Sequence, residues 1–568
     1  MKYNFLLRIR IISVLIFVFS SFLITKLFFV QVIHHDEYSD AADRQYVTPS
    51  ENIFERGSIF FKKKDGVAVN AATTITGFKV AINPKEINDS EAIFSKLANI
   101  INIDHNGFLK KSAKKTDPYE EVAFRLTKED ADKIKKLGIP GVYIYKEKWR
   151  FYPGNSLGSQ SIGFVGYKDN DFSGRYGIER FYNNVLSRQN NKIYVNFFAE
   201  VFASISDSLF ENPKKEGDII TTLEPSVQAY TEGELETAVK KWNAKSGGII
   251  VINPKDGSIY AMASYPDFNP NELSSAGSVS DFANPIVENV YEFGSVIKPF
   301  TITAGLDAKV ITSNTKYEDK GFVYVDDKEI WNFDKKGRGM IDMQEILNQS
   351  LNTGAIFVMQ KLGKEKFRQY MYDFGFNEKT NIDLPNEARS LVSNLKSSRN
   401  LEFATASFGQ GIAFSVIQLI RGFSSLANGG YLISPHIVSE INYRDGSKEK
   451  KEYPIGKQII KKESSDEITR MLTSVVDKSF KAEKYNLDKY SIAAKTGTAQ
   501  IAKEDGSGYY EDKHFHSIIG YLPAYDPMFL VMYYLVEPEG KFAIETLRDP
   551  FMNTTKFLLN YYEIAPDR

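Results

Sequence analysis

Cysteine is absent from the 568 residues. That absence excludes disulfides, thiolate nucleophiles, Cys-ligated zinc and iron–sulfur clusters in one step. It leaves the compartment open, because an exported protein can simply avoid cysteine. Histidine is scarce: His34, His35, His105, His436, His514 and His516 are the whole supply. Any histidine-dependent mechanism has to use one of them. An excess of one charge is missing too. Lys plus Arg number 71 and Asp plus Glu 72, a net charge of -1, so nothing electrostatic argues for nucleic acid. What is present is ordinary for a globular chain: 42% hydrophobic and 25% charged residues, which excludes wholesale disorder and fibrous low-complexity structure. Length alone allows roughly four domain-sized units.

Long apolar runs are also few; one run stands out. Met1 to Arg10 carries Lys2, Arg8 and Arg10 and no acid. Ile11 to Ile33 follows, apolar except for Ser13, Ser20, Ser21, Thr25, Lys26 and Gln31. At about 1.5 Å per residue the run reaches roughly 35 Å, enough for a hydrocarbon core of about 30 Å. Basic residues before the span and Asp36, Glu37 and Asp40 after it predict a cytoplasmic amino terminus and an extracytoplasmic remainder. Lys26 lies in the outer third, where its long stem can snorkel. An uncleaved single-pass anchor is expected over a cleaved signal peptide, because the run exceeds the usual apolar core of a leader and no clean Ala-x-Ala follows.

Residues 34–216 mix short β-like runs (Phe78–Ile82, Gly141–Tyr145, Lys192–Phe197) with turn signals. They carry no obvious catalytic cluster. The polar stretch Asn212–Asp218 reads as a linker. A helix pattern covers Pro225–Trp242. Two strands then follow, Gly247–Asn253 and Ser258–Ser264, joined by the turn Pro254–Gly257. Two more strands, His516–Leu522 and Phe529–Leu535, precede a helix pattern at Pro550–Tyr562. An antiparallel sheet with helices before and after it predicts an α+β arrangement. The expected organisation is a cytoplasmic tail (1–10), a membrane anchor (11–33), a non-catalytic module (34–216) and a catalytic domain (217–568).

Chemistry concentrates in three short strings. In Glu292-Phe-Gly-Ser295-Val-Ile-Lys298 a helix signal begins at Ser295. A serine at a helix amino terminus sits in a field that favours an oxyanion, and Lys298 shares its face three residues on. Serine needs a base to become a nucleophile. Lysine serves as that base when burial or a neighbouring cation lowers its pKa, so the site calls for a second positive group. Alone, Ser-x-x-Lys is uninformative, since Ser112–Lys115, Ser393–Lys396 and Ser447–Lys450 repeat it. Ser350-Leu-Asn352 has a twin in Ser398-Arg-Asn400, and Lys495-Thr496-Gly497-Thr498 has a partial one in Lys245-Ser-Gly247. The specific feature is the ordered set Ser295–Lys298, Ser350–Asn352, Lys495–Gly497, spaced so that one cleft can gather all three.

That set resembles the penicillin-binding protein and serine β-lactamase superfamily. More of the chain agrees. Ala404–Gly411, Gln418-Leu419 and Ala427–Gly430 resemble division-type class B penicillin-binding proteins, the FtsI-like peptidoglycan D,D-transpeptidases. Lys26–Val32 resembles the end of their membrane anchor. Arg56-Gly57, Arg150–Pro153 and Gly177–Glu179 resemble motifs of their non-catalytic pedestal, a dimerisation-like module. Two departures stand out. Phe293 occupies the place of a usual proline before Gly294-Ser295, which should loosen the approach to the active-site helix. Phe60-Phe-Lys-Lys-Lys-Asp-Gly66 replaces an Asp-Arg-Asn-Gly-like turn.

The resemblance implies a single transmembrane helix, an elongated β-rich pedestal and a transpeptidase domain with a flanked antiparallel sheet and an all-helical subdomain. It implies Ser295 as nucleophile, Lys298 as base, Lys495 as the neighbouring cation and Ser350 as proton relay. Asn352, Thr496, Gly497 and Thr498 would bind the stem peptide, with no cofactor and no metal. Donor and acceptor stem peptides and β-lactams are the implied ligands. An FtsW-like membrane glycosyltransferase and other division proteins are the implied partners, at a bacterial inner membrane and a division septum, with cell shape as the wider output. Rival readings are a D,D-carboxypeptidase, an elongation-type transpeptidase, a β-lactamase and a penicillin-binding scaffold or sensor. No Glu-x-x-Leu-Asn string supports a β-lactamase, and both lysines expected to be lost from a dead scaffold are present. His514 and His516 share a strand face but have no third ligand near in sequence, so a structural role is expected.

Overall fold

The computed structural model describes residues 17–23, 25, 26, 55–168, 171–188, 215–480, 482–503, 505, 506 and 508–568. Most of the predicted membrane span, the His34–His35 pair, the predicted strand Lys192–Phe197 and the start of the predicted linker lie outside the described residues. Within the span, residues 17–23, 25 and 26 are helical and exposed, and the Thr25 hydroxyl donates to the Ser21 carbonyl at 2.8 Å. Among the described residues no helix is long and apolar enough to cross a membrane.

The described chain falls into two compact units. One contains Thr76–Lys148, and the other joins Glu55–Ile75 to Trp149–Arg568. The expected boundary at 216–217 is a break in composition along the chain. Packing groups Glu55–Ile75 and the residues from Trp149 onward in one compact unit with the carboxy-terminal half.

In the first unit three short helices start where a side chain can take up a free backbone N–H. Asp89 caps Ser90–Ala98 by accepting from Ala92 N, and Thr127 caps Lys128–Lys136 by accepting from Asp130 N. Such caps stabilise a helix by about 1 kcal/mol. Their apolar faces meet the strand Glu120–Leu126 in a small core of Val80, Ile82, Ile93, Leu97, Phe108, Ala123 and Ile134.

The second unit is organised by a five-stranded antiparallel sheet. Its order is Ala493–Ala502, Tyr509–Leu522, Phe529–Val536, Ser246–Ile252, Ile259–Tyr265. The four strands expected for this sheet are present: the first two are shifted by one residue, Tyr509–Leu522 begins well before the expected His516, and Phe529–Val536 runs one residue past Leu535. Phe529–Leu535 is buried throughout, as a central strand with both faces covered should be. Pro225–Lys241 and Ala543–Tyr561 pack together and against sheet strands, while Lys462–Ser479 packs against the edge strand Ala493–Ala502. The carboxy-terminal helix begins at Ala543, earlier than the expected Pro550, which lies inside it. A proline at that place gives up one backbone hydrogen bond and crowds the preceding turn, yet the helix continues on both sides of it.

Between Lys298 and Asn352 the chain departs from the expected all-helical subdomain. It forms two small antiparallel pairs, Lys316–Asp319 with Gly339–Asp342 and Phe322–Val325 with Lys328–Trp331. Helices Met343–Asn348, Asn352–Leu362, Lys364–Asp373, Asn400–Ala406 and Val416–Ala427 follow these pairs along the chain.

A second sheet in this unit sets Gly217–Thr221 between Ile59–Lys62, in parallel, and Val438–Tyr443, antiparallel. Beside it lies a buried ionic cluster. Arg56 Nε and Arg150 Nε donate to the two oxygens of Glu179 at 2.5 and 2.6 Å, with all three side chains essentially without solvent contact. Arg150 also donates to the Gly57 carbonyl at 2.7 Å. These residues come from the pedestal-like motifs, and their observed role is to tie separate chain segments together.

Candidate active site

The first string forms a 3-10 turn, Gly294–Ile297, that runs into the helix Lys298–Asp307. That helix is buried almost completely. Phe300 meets Phe374 and Phe376 edge-on, each with ring centroids 4.9 Å apart, which fixes the helix and hence Lys298. The turn before it is equally constrained. Phe293 is 1% exposed and packs among Phe414, Phe515 and Tyr291. The expected loosening is not what the structure has: an aromatic ring anchored in the core replaces the rigidity of proline.

The other two strings converge on this turn. Lys298 Nζ lies 3.0 Å from Ser295 Oγ, 2.5 Å from the Ser350 carbonyl oxygen and 3.3 Å from Ser350 Oγ. Lys495 Nζ donates to Ser350 Oγ at 3.0 Å and to the Thr496 carbonyl at 3.0 Å. Ser350 thus stands between the two amines. Its φ of 56° is unusual for a residue with a side chain and marks local strain held by the surrounding structure. That conformation turns both its hydroxyl and its carbonyl toward Lys298.

Both lysines are buried, Lys298 at 0% and Lys495 at 2% exposure. Among the described residues neither is paired with a carboxylate. Burial pushes the Lys298 amine well below its ordinary value, and the Lys495 charge pushes it further. Burial brings Lys495 down to about 7. An amine lowered in this way is available as a base near neutral pH.

The remaining predicted residues line the same place. Asn352 opens its helix and donates from Nδ2 to the Trp331 carbonyl at 3.0 Å. Thr496, Gly497 and Thr498 lie on the edge strand, where Lys495 pairs with Ile519 and Thr498 with His516. Gly497 is required by space: a Cβ there would stand 2.4 Å from the Phe293 carbonyl oxygen and 2.7 Å from Ser517 Oγ. Thr498 Oγ1 accepts from Ala543 N at 3.0 Å, which leaves its own proton free to donate.

The sequence assigns no role to three supporting groups, although Glu292 and Gly409 lie in strings already singled out. Asp319, 2% exposed, accepts from Thr353 Oγ1 at 2.8 Å, from Asn332 Nδ2 at 3.0 Å and from Arg338 N at 3.1 Å. It thereby fixes the first turn of the Asn352 helix. Glu292 accepts from the Tyr509 hydroxyl at 2.9 Å, and burial raises its pKa. Gly409, within Ala404–Gly411, accepts from Gly294 N at 3.1 Å, and a Cβ on it would meet the Gly294 carbonyl oxygen at 2.2 Å. The string Ala404–Gly411 therefore braces the serine turn. Of the sequence's histidines, His516 is buried with Nδ1 at 2.9 Å from Thr546 Oγ1, away from the serine turn's hydrogen bonds.

Comparison with known proteins agrees with this geometry. Residues 247–555 match the penicillin binding protein transpeptidase domain, and residues 54–222 match the penicillin-binding protein dimerisation domain. Stage V sporulation protein D of Bacillus subtilis is 32% identical over 547 residues, covering 94% of this chain and 83% of that protein. Peptidoglycan D,D-transpeptidase FtsI of Buchnera aphidicola is 26% identical, covering 97% of this chain and 94% of that one. The crystal structure of penicillin binding protein 2X from Streptococcus thermophilus shares the fold with a TM-score of 0.71 at 20% identity, covering 89% of this chain and 80% of that one.

Proposed function

The chain belongs to the penicillin-binding protein transpeptidase family, and from that premise we propose that it is a peptidoglycan D,D-transpeptidase working through a serine acyl-enzyme. The observation that carries the reading is the Ser295–Lys298–Ser350–Lys495 chain of contacts, all within 3.3 Å. Ser295 Oγ attacks the carbonyl carbon between the two terminal D-alanines of a donor stem peptide. Lys298 Nζ takes the Oγ proton. Ser350 passes a proton to the departing D-alanine amine. An amine of a second stem peptide then attacks the acyl-enzyme, gives up a proton by the reverse route and leaves a cross-link.

Asn352 holds the donor backbone, and Thr496 and Thr498 hold its terminal carboxylate across the small surface that Gly497 leaves. Backbone N–H groups of Ser295 and Thr498 stabilise the tetrahedral oxyanion, each donor contributing about 3–4 kcal/mol in comparable sites. A β-lactam acylates the same serine and stays attached. Incubation of the full chain with a fluorescent penicillin tests the assignment: a covalent band on the parent and none on Ser295→Ala is the expected result, and labelling of both would overturn it. Product analysis with a stem-peptide donor, with and without an amine acceptor, separates transpeptidation from D,D-carboxypeptidation.

The setting of this reaction is also part of the proposal. Ile11–Ile33 anchors the chain once in a bacterial inner membrane with the catalytic half outside, a reading supported by its apolar length and flanking charges. Septal wall synthesis is supported by the Ala404–Gly411 string and by the relative named FtsI. A sporulation-specific wall is the second reading, favoured by the 32% identity to stage V sporulation protein D. Depletion that blocks septation in growing cells supports the first, and a defect confined to spores supports the second. An FtsW-like glycosyltransferase is the proposed partner, to be sought by pull-down of the full chain from membranes.

A further inference from the structure

A cleft of about 470 Å³ opens in the second unit, lined by different residues from those that meet Ser295. Its volume is within the range of small-molecule sites. Five lysines line it: Lys62, Lys63, Lys64, Lys450 and Lys451. The first three lie within Phe60–Gly66, one of the two departures from the family-like pattern in the sequence. They end the strand Ile59–Lys62 and enter a tight turn, closed by Lys63 N to Val67 O at 2.9 Å. Lys450 ends the strand Lys448–Lys450 on another chain segment. Two distant segments therefore bring lysines to one cavity.

The charge there is not balanced. Lys64 donates to the Tyr561 carbonyl at 2.7 Å and lies 3.4 Å from Glu563, and Lys451 is paired with Glu449 at 2.7 Å. Lys62, Lys63 and Lys450 have no ion pair among the described residues. The two carboxylates in the lining are already committed. Glu224 caps a helix by accepting from Val227 N at 2.7 Å and accepts from the Tyr561 hydroxyl at 2.8 Å. Asp256 accepts from Ser258 N at 2.8 Å and Asn253 Nδ2 at 3.0 Å. Flat apolar surface adjoins the lysines. His436 and Tyr453 stack with ring centroids 3.6 Å apart, and Tyr260 and Tyr562 pair at 6.0 Å.

We propose that this cleft binds a phosphate-bearing ligand, with its phosphate groups held by Lys62, Lys63 and Lys450 and its neutral part against the tyrosines. Ammonium groups without a counterion in a concave site pair with phosphate through charge-assisted hydrogen bonds. The same chemistry is offered by a soluble organic phosphate and by the headgroup of an anionic phospholipid. The site is independent of the acylation chemistry.

Calorimetric titration of the full chain in detergent with inorganic pyrophosphate tests it. Saturable binding is expected, weakened roughly tenfold or more in K62A/K63A/K450A and kept within about threefold in K62R/K63R/K450R. Penicillin acylation of Ser295 remains in every variant and reports that each has folded. Displacement of pyrophosphate by soluble dihexanoyl phosphatidylglycerol assigns the ligand to lipid headgroups, and failure to displace it assigns the ligand to soluble phosphates. Equal binding by parent and K62A/K63A/K450A, or no saturable binding by acylation-competent parent at millimolar pyrophosphate, overturns the proposal.

Discussion

The second unit buries two clusters of cations and treats them in opposite ways. In one, Glu179 lies between Arg56 and Arg150 with its carboxylate oxygens 2.5 and 2.6 Å from their Nε atoms. In the other, Lys298 and Lys495 meet at Ser350 with no carboxylate between them. Burial alone would raise the Glu179 pKa, but the two guanidinium groups outweigh it and hold the carboxyl below its usual range. Burial of the lysines meets no such compensation, so both amines fall. The residue types follow the same logic. Arginine stays charged in any protein environment, whereas lysine gives up its proton when desolvated. Cations paired to a shared carboxylate join segments, and cations without one prepare a base.

The largest expected effect breaks the second cluster. Lys298→Ala should lower the rate of penicillin acylation by about a thousandfold or more, in line with loss of a general base. Measured by stopped-flow labelling, a loss of only severalfold would return the base role to another group. Stability should move the other way. Lys298→Met, which replaces an uncompensated buried amine by a group of similar volume, should leave the unfolding free energy unchanged or raise it.

The first cluster should respond in the reverse sense. Glu179→Gln leaves two buried guanidinium groups without their anion and should destabilise the unit by about 3–5 kcal/mol, read from denaturant unfolding. Acylation by the fraction that remains folded should change little. A stable Glu179→Gln variant would mean that the ion pairs are incidental to the fold.

A smaller effect comes from pH. The folded pKa of Glu179 lies below its unfolded value, so the stability it contributes is present above an ordinary carboxylate pKa of about 4.3. It is lost as pH falls through the lowered folded value. The stability gap between parent and Glu179→Gln should therefore shrink from neutral pH toward pH ~3. A gap that stays constant would contradict the assignment. The smallest effect is expected from Asp319→Asn, which loses acceptor capacity beneath the Asn352 helix. It should cost about 1–3 kcal/mol of stability and slow acylation without abolishing it, as seen by the same labelling.

Much of this arrangement was legible in the sequence. The four catalytic candidates lie in short strings whose order is specific even though each string recurs by chance. Their convergence follows from placing one on a helix, one before a helix and one on an edge strand. The sheet was also legible, because its strands are apolar runs punctuated by turns. The rest depends on partners far apart in the chain. Asp319 meets Thr353, and Glu292 meets Tyr509, through contacts that no local pattern encodes. The small strands between Lys316 and Asp342 are four residues each, too short to show an alternation. Phe293 misled for a similar reason: the expected loosening considered only the backbone, while its ring is anchored by Phe414 and Phe515 from distant segments.

The most direct test of the comparison is the pH dependence of the acylation rate constant of the full chain. Lys298 must be neutral to act and Lys495 charged to assist it, so the rate should rise from acid as Lys298 loses its proton, far below the ordinary lysine value of about 10.4. It should fall again as Lys495, held at about 7, loses its own. Lys495→Arg, which keeps the charge at all accessible pH, should remove the falling limb. A parent rate that climbs steadily to about pH 10, as an unperturbed lysine would require, would contradict the account.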